Sequence, residues 1–182
     1  MPAVLSVLYV VLLVLVMAGA ATLSVLAWWR PTVPYAAAAS AAVASGLLLA
    51  AIPAGDLGFG VTALVTALAL VAAVVGGGPA ATVALKVATR DSVLEGVHGG
   101  ILEHGGEVLR GGMMIGLLER LALAGLILAG FPEGLAVLVA VKGVGRFGEF
   151  ESPASRERFI IGTFASLIWA AACAGIAVLA RA

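Results

Sequence analysis

Apolar runs about as long as a bilayer is thick alternate with short polar breaks along most of this chain. The first, Ala3 to Trp28, closes on Trp28, Trp29, Arg30 and Pro31: interfacial aromatics, a positive charge and a helix breaker. We read it as a retained first span, because no Lys or Arg precedes it and it outruns a signal-peptide core of about 7–15 residues. The second run, Val33 to Ala54, is dominated by alanine, and such small residues predict a helix lying inside a bundle. Pro53, Gly55 and Asp56 mark a turn, and a third run from Leu57 to Val75 meets Gly76-Gly77-Gly78-Pro79, which predicts a helix end. Three further runs follow a polar segment: Met113 to Gly130, Gly134 to Phe147 and Phe159 to Ala180, with Phe131, Pro132 and Glu133 as a tight turn. A helix crosses the bilayer core in about 20 residues. The pattern therefore predicts an all-α, polytopic integral membrane bundle of about six transmembrane helices.

The polar interruption divides the chain into three: helices over 1–79, a Gly/His-rich connector over 80–112, and a three-helix unit over 113–182. Within the connector, the apolar positions Val83, Val87 and Leu94 predict an interfacial amphipathic helix over about 81–94. Beyond it His98-Gly99-Gly100, His104-Gly105-Gly106 and Arg110-Gly111-Gly112 repeat every six residues. Three copies are too few for a solenoid, so the expectation is a glycine-rich linker.

Composition sharpens this picture. Only 11% of residues are charged against 63% hydrophobic, too few to coat a soluble core, which leaves lipid to cover the outside. Net charge is zero, which removes the electrostatic case for a nucleic-acid partner. The single cysteine, Cys173, excludes an intrachain disulfide. Basic residues sort by side: Arg30, Lys86, Arg90, Arg110, Arg156 and Arg158 fall in the first, third and fifth connections, and Arg181 alone on the opposite side. The positive-inside rule then predicts a multi-pass protein of a bacterial-type inner membrane with both termini outside.

Charge inside an apolar span costs about 2.5–3.5 kcal/mol at the helix centre and marks a candidate site. Here the candidates are Glu119, Arg120, Lys142 and Arg146, with Glu149 three residues beyond Arg146. Counting 1.5 Å per residue from the cytoplasmic ends of two antiparallel spans, Glu119 and Lys142 both fall about 9 Å deep, so they can meet. Lys142, Arg146 and Glu149 share one helical face. Arg120 is turned about 100° from Glu119 and is expected either to reach another helix or to snorkel to the interface. Three roles fit such a network: a neutralising clamp that sets hairpin register, an ion or proton path using Glu119 and Lys142, or binding of anionic lipid.

Glu95 and His98 form an E-x-x-H pair, and with His104 they are a candidate metal site, opposed by the glycines around them. No cofactor motif is present. Gly162, Ser166, Ala170 and Cys173 line one small-residue face of the last run. Trp169, near mid-depth, needs an acceptor for its indole N–H, expected from the charged hairpin.

Arg110-Gly111-Gly112, Ile115-Gly116-Leu117-Leu118-Glu119-Arg120, Lys142 with Arg146-Phe147, and Ile161-Gly162-Thr163 with Ser166 and Trp169 occur in that order. Over about residues 110–175 this arrangement resembles a family of uncharacterised bacterial multi-spanning membrane proteins with I-G-x-L-E-R, K-x-x-x-R-F and I-G-T-x-x-S helices. The resemblance implies no activity. The expectation is a non-enzymatic membrane protein, alone, as a homo-oligomer or as a subunit of a membrane complex. A small transporter or channel component is the alternative, and a membrane enzyme with an interfacial metal site is the third reading.

Overall fold

The computed structural model describes residues 3–89, 102–103, 106–107, 112–145 and 153–181. Among them every regular element is a helix except for one two-residue antiparallel strand pairing. Three helices, α1 (Ala3–Trp29), α2 (Val33–Ala50) and α3 (Phe59–Thr89), precede the short strands β1 (Leu102–Glu103) and β2 (Gly106–Glu107). Three more follow: α4 (Gly112–Leu128), α5 (Gly134–Gly145) and α6 (Pro153–Leu179). Four of the six described helices, α1, α2, α3 and α6, are long and apolar enough to cross a membrane. α4 has 17 residues and α5 has 12. At 1.5 Å per residue the described part of α5 rises about 18 Å, against a hydrocarbon core of about 30 Å.

The packing inverts that of a soluble domain. Small residues fill the interior, among them Ala20, Ala69, Ala72, Ala73, Ala170 and Ala177, while Leu8, Leu15, Leu48, Phe164 and Ile168 face outward. In a bilayer, where lipid is as apolar as the helices, close approach of small residues would supply such contact. α3 is the central helix and packs most extensively against α6, then against α1. The two run antiparallel: Gly162 faces Leu85, Trp169 faces Ala72, and Arg181 just past α6 reaches Thr66. α1 and α2 are likewise antiparallel, with Tyr9 Oη donating to the Leu49 carbonyl (3.1 Å) and Met17 seated on Gly46.

Three expectations change. α3 does not stop at Val75 but passes through Gly76-Gly77-Gly78-Pro79 to Thr89. The stretch from Ala81 to Thr89, expected in a separate interfacial helix, is therefore the last part of α3. Glycine and proline are tolerated inside such a helix when neighbouring side chains satisfy the backbone groups they free. α2, in turn, is not surrounded: one stripe (Ala36, Ala39, Val43, Gly46, Ala50) is buried and its opposite face, with Ala37, Ala41, Ala44 and Leu48, is exposed. Its small residues serve a single seam, where Met17 and Ile176 close on Gly46.

The turns have local causes. Gly55 and Gly58 take left-handed φ values of 80° and 76°, and the Gly58 N–H donates to Asp56 Oδ1 (2.8 Å). α4 ends on Gly130 at φ 70°, with Phe131 N–H donating to the Leu126 carbonyl and Gly130 N–H to that of Ile127. This glycine-ended cap folds α5 back antiparallel along α4, placing Gly134 against Leu126.

Candidate functional site

Backbone chemistry at the middle of α3 creates the site. Pro79 has no N–H to give the Val75 carbonyl, and Gly76 to Gly78 leave the helix surface without side chains. Three other helices fill that bare stretch. From α6, Trp169 Nε1 donates to the Ala72 carbonyl (2.8 Å). From α4, Arg120 Nε donates to the Val74 carbonyl (2.6 Å), and its Nη1 to Ser166 Oγ of α6 (3.2 Å). From α1, Ser24 lies fully buried against Gly76 while its own hydroxyl donates to the Ala20 carbonyl (2.7 Å).

The glycines are a steric requirement of this crossing. A Cβ at Gly76 would lie 2.5 Å from Trp169 Cζ2 and 2.7 Å from Ser24 Oγ. One at Gly77 would run into Arg120 Cδ, and one at Gly116, a turn before Arg120 on α4, would lie 3.3 Å from its Nη1. Gly76 and Gly77 thus vacate the volume that side chains from other helices need, and Gly116 leaves room for Arg120 of its own helix. Below them, Thr82 Oγ1 donates to the Gly78 carbonyl (3.2 Å), a further bond to the same turn.

Charge is arranged around the crossing by helical phase. Arg120 is 5% exposed and faces α3 and α6. Its neighbour Glu119 points the other way, about 100° around α4, and accepts a hydrogen bond from Lys142 Nζ of α5. Both members of that ion pair are largely covered. α5 makes its extensive contact with α4 alone, so the pair is the polar fastening between a short outer helix and the bundle. Its remaining faces, including Val137, Val141 and Val144, are exposed and apolar.

No family model, no curated protein and no solved structure matches this chain. The site is therefore argued from its own geometry.

That geometry unites some of the residues singled out from sequence and separates others. Glu119 and Lys142 are together. Arg120 does not snorkel to the interface; it turns inward, because three glycines expose carbonyls for it. The acceptor of Trp169 is the backbone of α3 rather than a group of the charged hairpin. Ser166 and Cys173 both face inward on α6, Ser166 accepting from Arg120 and Cys173 fully buried. Arg146, Glu149, Glu95, His98 and His104 lie outside the described residues. Among the described residues no group of three His, Cys, Asp or Glu side chains is placed to hold a metal.

Sequence reasoning missed Gly76, Gly77 and Ser24 as members of the site. The signal was present, since three consecutive glycines in an apolar run mark a close approach as readily as a helix end.

Chemically the crossing holds shape. Among the described residues every buried side-chain nitrogen and oxygen has a hydrogen-bond partner. Arg120 spends donors on a carbonyl and a hydroxyl, Trp169 spends its one donor, and Ser166 Oγ accepts from Arg120.

Proposed function

We propose that this chain is a six-span, non-enzymatic protein of a bacterial-type inner membrane, with both termini outside. Its C-terminal charged unit lies on the cytoplasmic half of the bilayer and acts as a rigid helical scaffold. The resemblance of residues 110–175 to uncharacterised multi-spanning bacterial proteins accords with this reading. So does the distribution of basic residues described above.

One observation carries the scaffold role over transport. The buried polar groups at the α3–α4–α6 crossing are spent on one another, with none of the described buried side-chain atoms left unpaired. A conducting or translocating path needs polar groups whose partners are water or cargo. The Glu119–Lys142 pair fits the same role, neutralising two charges that would otherwise each be costly in lipid.

The test is flux across proteoliposomes loaded with reporters for protons, sodium, potassium and chloride. The wild-type protein and its Glu119→Gln variant are both expected to match empty liposomes. Flux that depends on Glu119 would overturn the scaffold reading in favour of a small transporter or channel.

A further inference from the structure

We propose that two copies of this chain pair in parallel through the outward face of α1, forming a left-handed two-helix seam. The pairing rests on the bilayer placement proposed above and supplies the scaffold with a partner. α1 turns Tyr9, Leu13, Met17, Ala20, Ser24 and Ala27 toward its own bundle. On its other side Leu5, Leu8, Leu12 and Leu15, then Leu26 and Trp29, are between 39% and 79% exposed. Gly19 and Thr22 fill the gap in that series, and successive positions then alternate in steps of three and four residues from Leu5 to Trp29. This is the a/d pattern of a heptad repeat, the spacing at which one helix meets another along a shared seam. Membrane helices cross most often at about +20°, the angle that such a seam gives.

Gly19 gives the occupant its identity. It lies near the middle of a 27-residue helix, and a Cβ there would meet nothing within 4 Å. Gly76 and Gly77 make room for side chains of other helices, whereas no group of the same chain takes up the space at Gly19. Glycine inside a helix still costs about 1 kcal/mol relative to alanine. Lipid tails cover a methyl group as readily as bare backbone, so lipid gives no reason for that cost. A second helix does, because a small residue lets two backbones approach closely. Thr22, on the next turn, donates its hydroxyl to the Ala18 carbonyl (2.8 Å), so it enters the contact already satisfied.

Two copies inserted with the same orientation are related by a two-fold axis along the bilayer normal. A parallel pair then sets Gly19 against Gly19 and each seam leucine beside its own counterpart. The area is sufficient. At the exposures above, the seam leucines and Trp29 offer about 650 Å² per copy, so about 1,300 Å² for the pair, at the lower end of specific interfaces.

Disulfide cross-linking in membranes tests the pairing, using full-length protein with Cys173 replaced by Ala. Leu8→Cys and Leu15→Cys place single thiols on the seam. Val7→Cys is the matched control, because Val7 is 64% exposed against 61% for Leu8 and differs by about 100° around the helix. Ile168→Cys, on exposed Ile168 of α6, is the second control. After oxidation with copper–phenanthroline, covalent dimer from the two seam positions is expected to exceed that from either control severalfold. Adding Gly19→Ala to the Leu15→Cys protein should lower its dimer yield severalfold. Equal yields from Leu8→Cys and Val7→Cys would mean random collision in lipid and overturn the proposal. So would the absence of dimer from both seam positions, or a Leu15→Cys yield that Gly19→Ala leaves unchanged. Washing the same membranes in alkaline carbonate separates the two readings: a chain that is released refutes the bilayer placement, whereas a retained chain without seam dimers refutes the pairing alone.

Discussion

Replacing Gly76 with alanine adds one methyl group, and the structure assigns that methyl a cost with a definite origin. It would sit 2.5 Å from Trp169 Cζ2 and 2.7 Å from Ser24 Oγ, well inside contact distance for both. Neither neighbour can yield cheaply. The Trp169 ring is buried and tied to the Ala72 carbonyl, and Ser24 is buried with its hydroxyl committed to Ala20. Overpacking of this kind costs about 1–3 kcal/mol, and pushing the indole off its acceptor adds about 1 kcal/mol. Against this stands the helix propensity gained by Gly→Ala, about 1 kcal/mol. The net expectation is destabilisation by about 1–3 kcal/mol on those figures. Gly19 of α1 is the natural control, because a Cβ there meets nothing within 4 Å; Gly19→Ala should be neutral or stabilising by up to about 1 kcal/mol. Equilibrium unfolding in mixed micelles with rising SDS fraction, followed by tryptophan fluorescence, measures the gap. A second arm isolates the cause: in a Trp169→Leu background the penalty of Gly76→Ala should shrink, leaving the Ser24 contact. Equal stability of the Gly76→Ala and Gly19→Ala proteins would refute the account of the triple glycine as a vacated volume.

Two further outcomes follow from the same geometry. Glu119→Gln leaves Lys142 as an uncompensated cation in the hairpin and should destabilise by up to about 3 kcal/mol, whereas Glu119→Gln with Lys142→Gln should recover most of the loss; SDS unfolding of the three proteins checks this, and a double variant no better than the single would sink it. Cys173 is fully buried among helices, so a maleimide should leave the native protein unlabelled and react on SDS unfolding. Native labelling as fast as that of a cysteine placed at exposed Val87 would contradict the packing of α6.

The lengths of the apolar runs, their polar breaks and the shortage of charge are properties of local sequence. They suffice for the long apolar helices, since a helix in lipid must satisfy its own backbone and cover itself with apolar side chains. The juxtaposition of Glu119 with Lys142 was also open to arithmetic: a tight turn joins α4 to α5, and depth along a helix is a count of residues. Direction around the axis is different. Helical phase puts Arg120 away from Glu119 but does not say which neighbour stands there, and only the packed bundle supplies the Val74 carbonyl and Ser166 as its partners. The acceptor of Trp169, 97 residues away in sequence, was hidden for the same reason.

The triple glycine and Pro79 show where the boundary lies. Taken alone they weaken a helix, because glycine favours disorder and proline removes a donor, and by that local measure α3 should end at Val75. Side chains from α1, α4 and α6 fill the space the glycines leave, those from α4 and α6 bond carbonyls beside them, and the helix continues to Thr89. Residue by residue, sequence determined where helices are weak and where charge is expensive. Whether a weak point breaks or becomes a crossing was decided by the tertiary structure, because the stabilising groups come from distant parts of the chain and meet it only in the folded bundle.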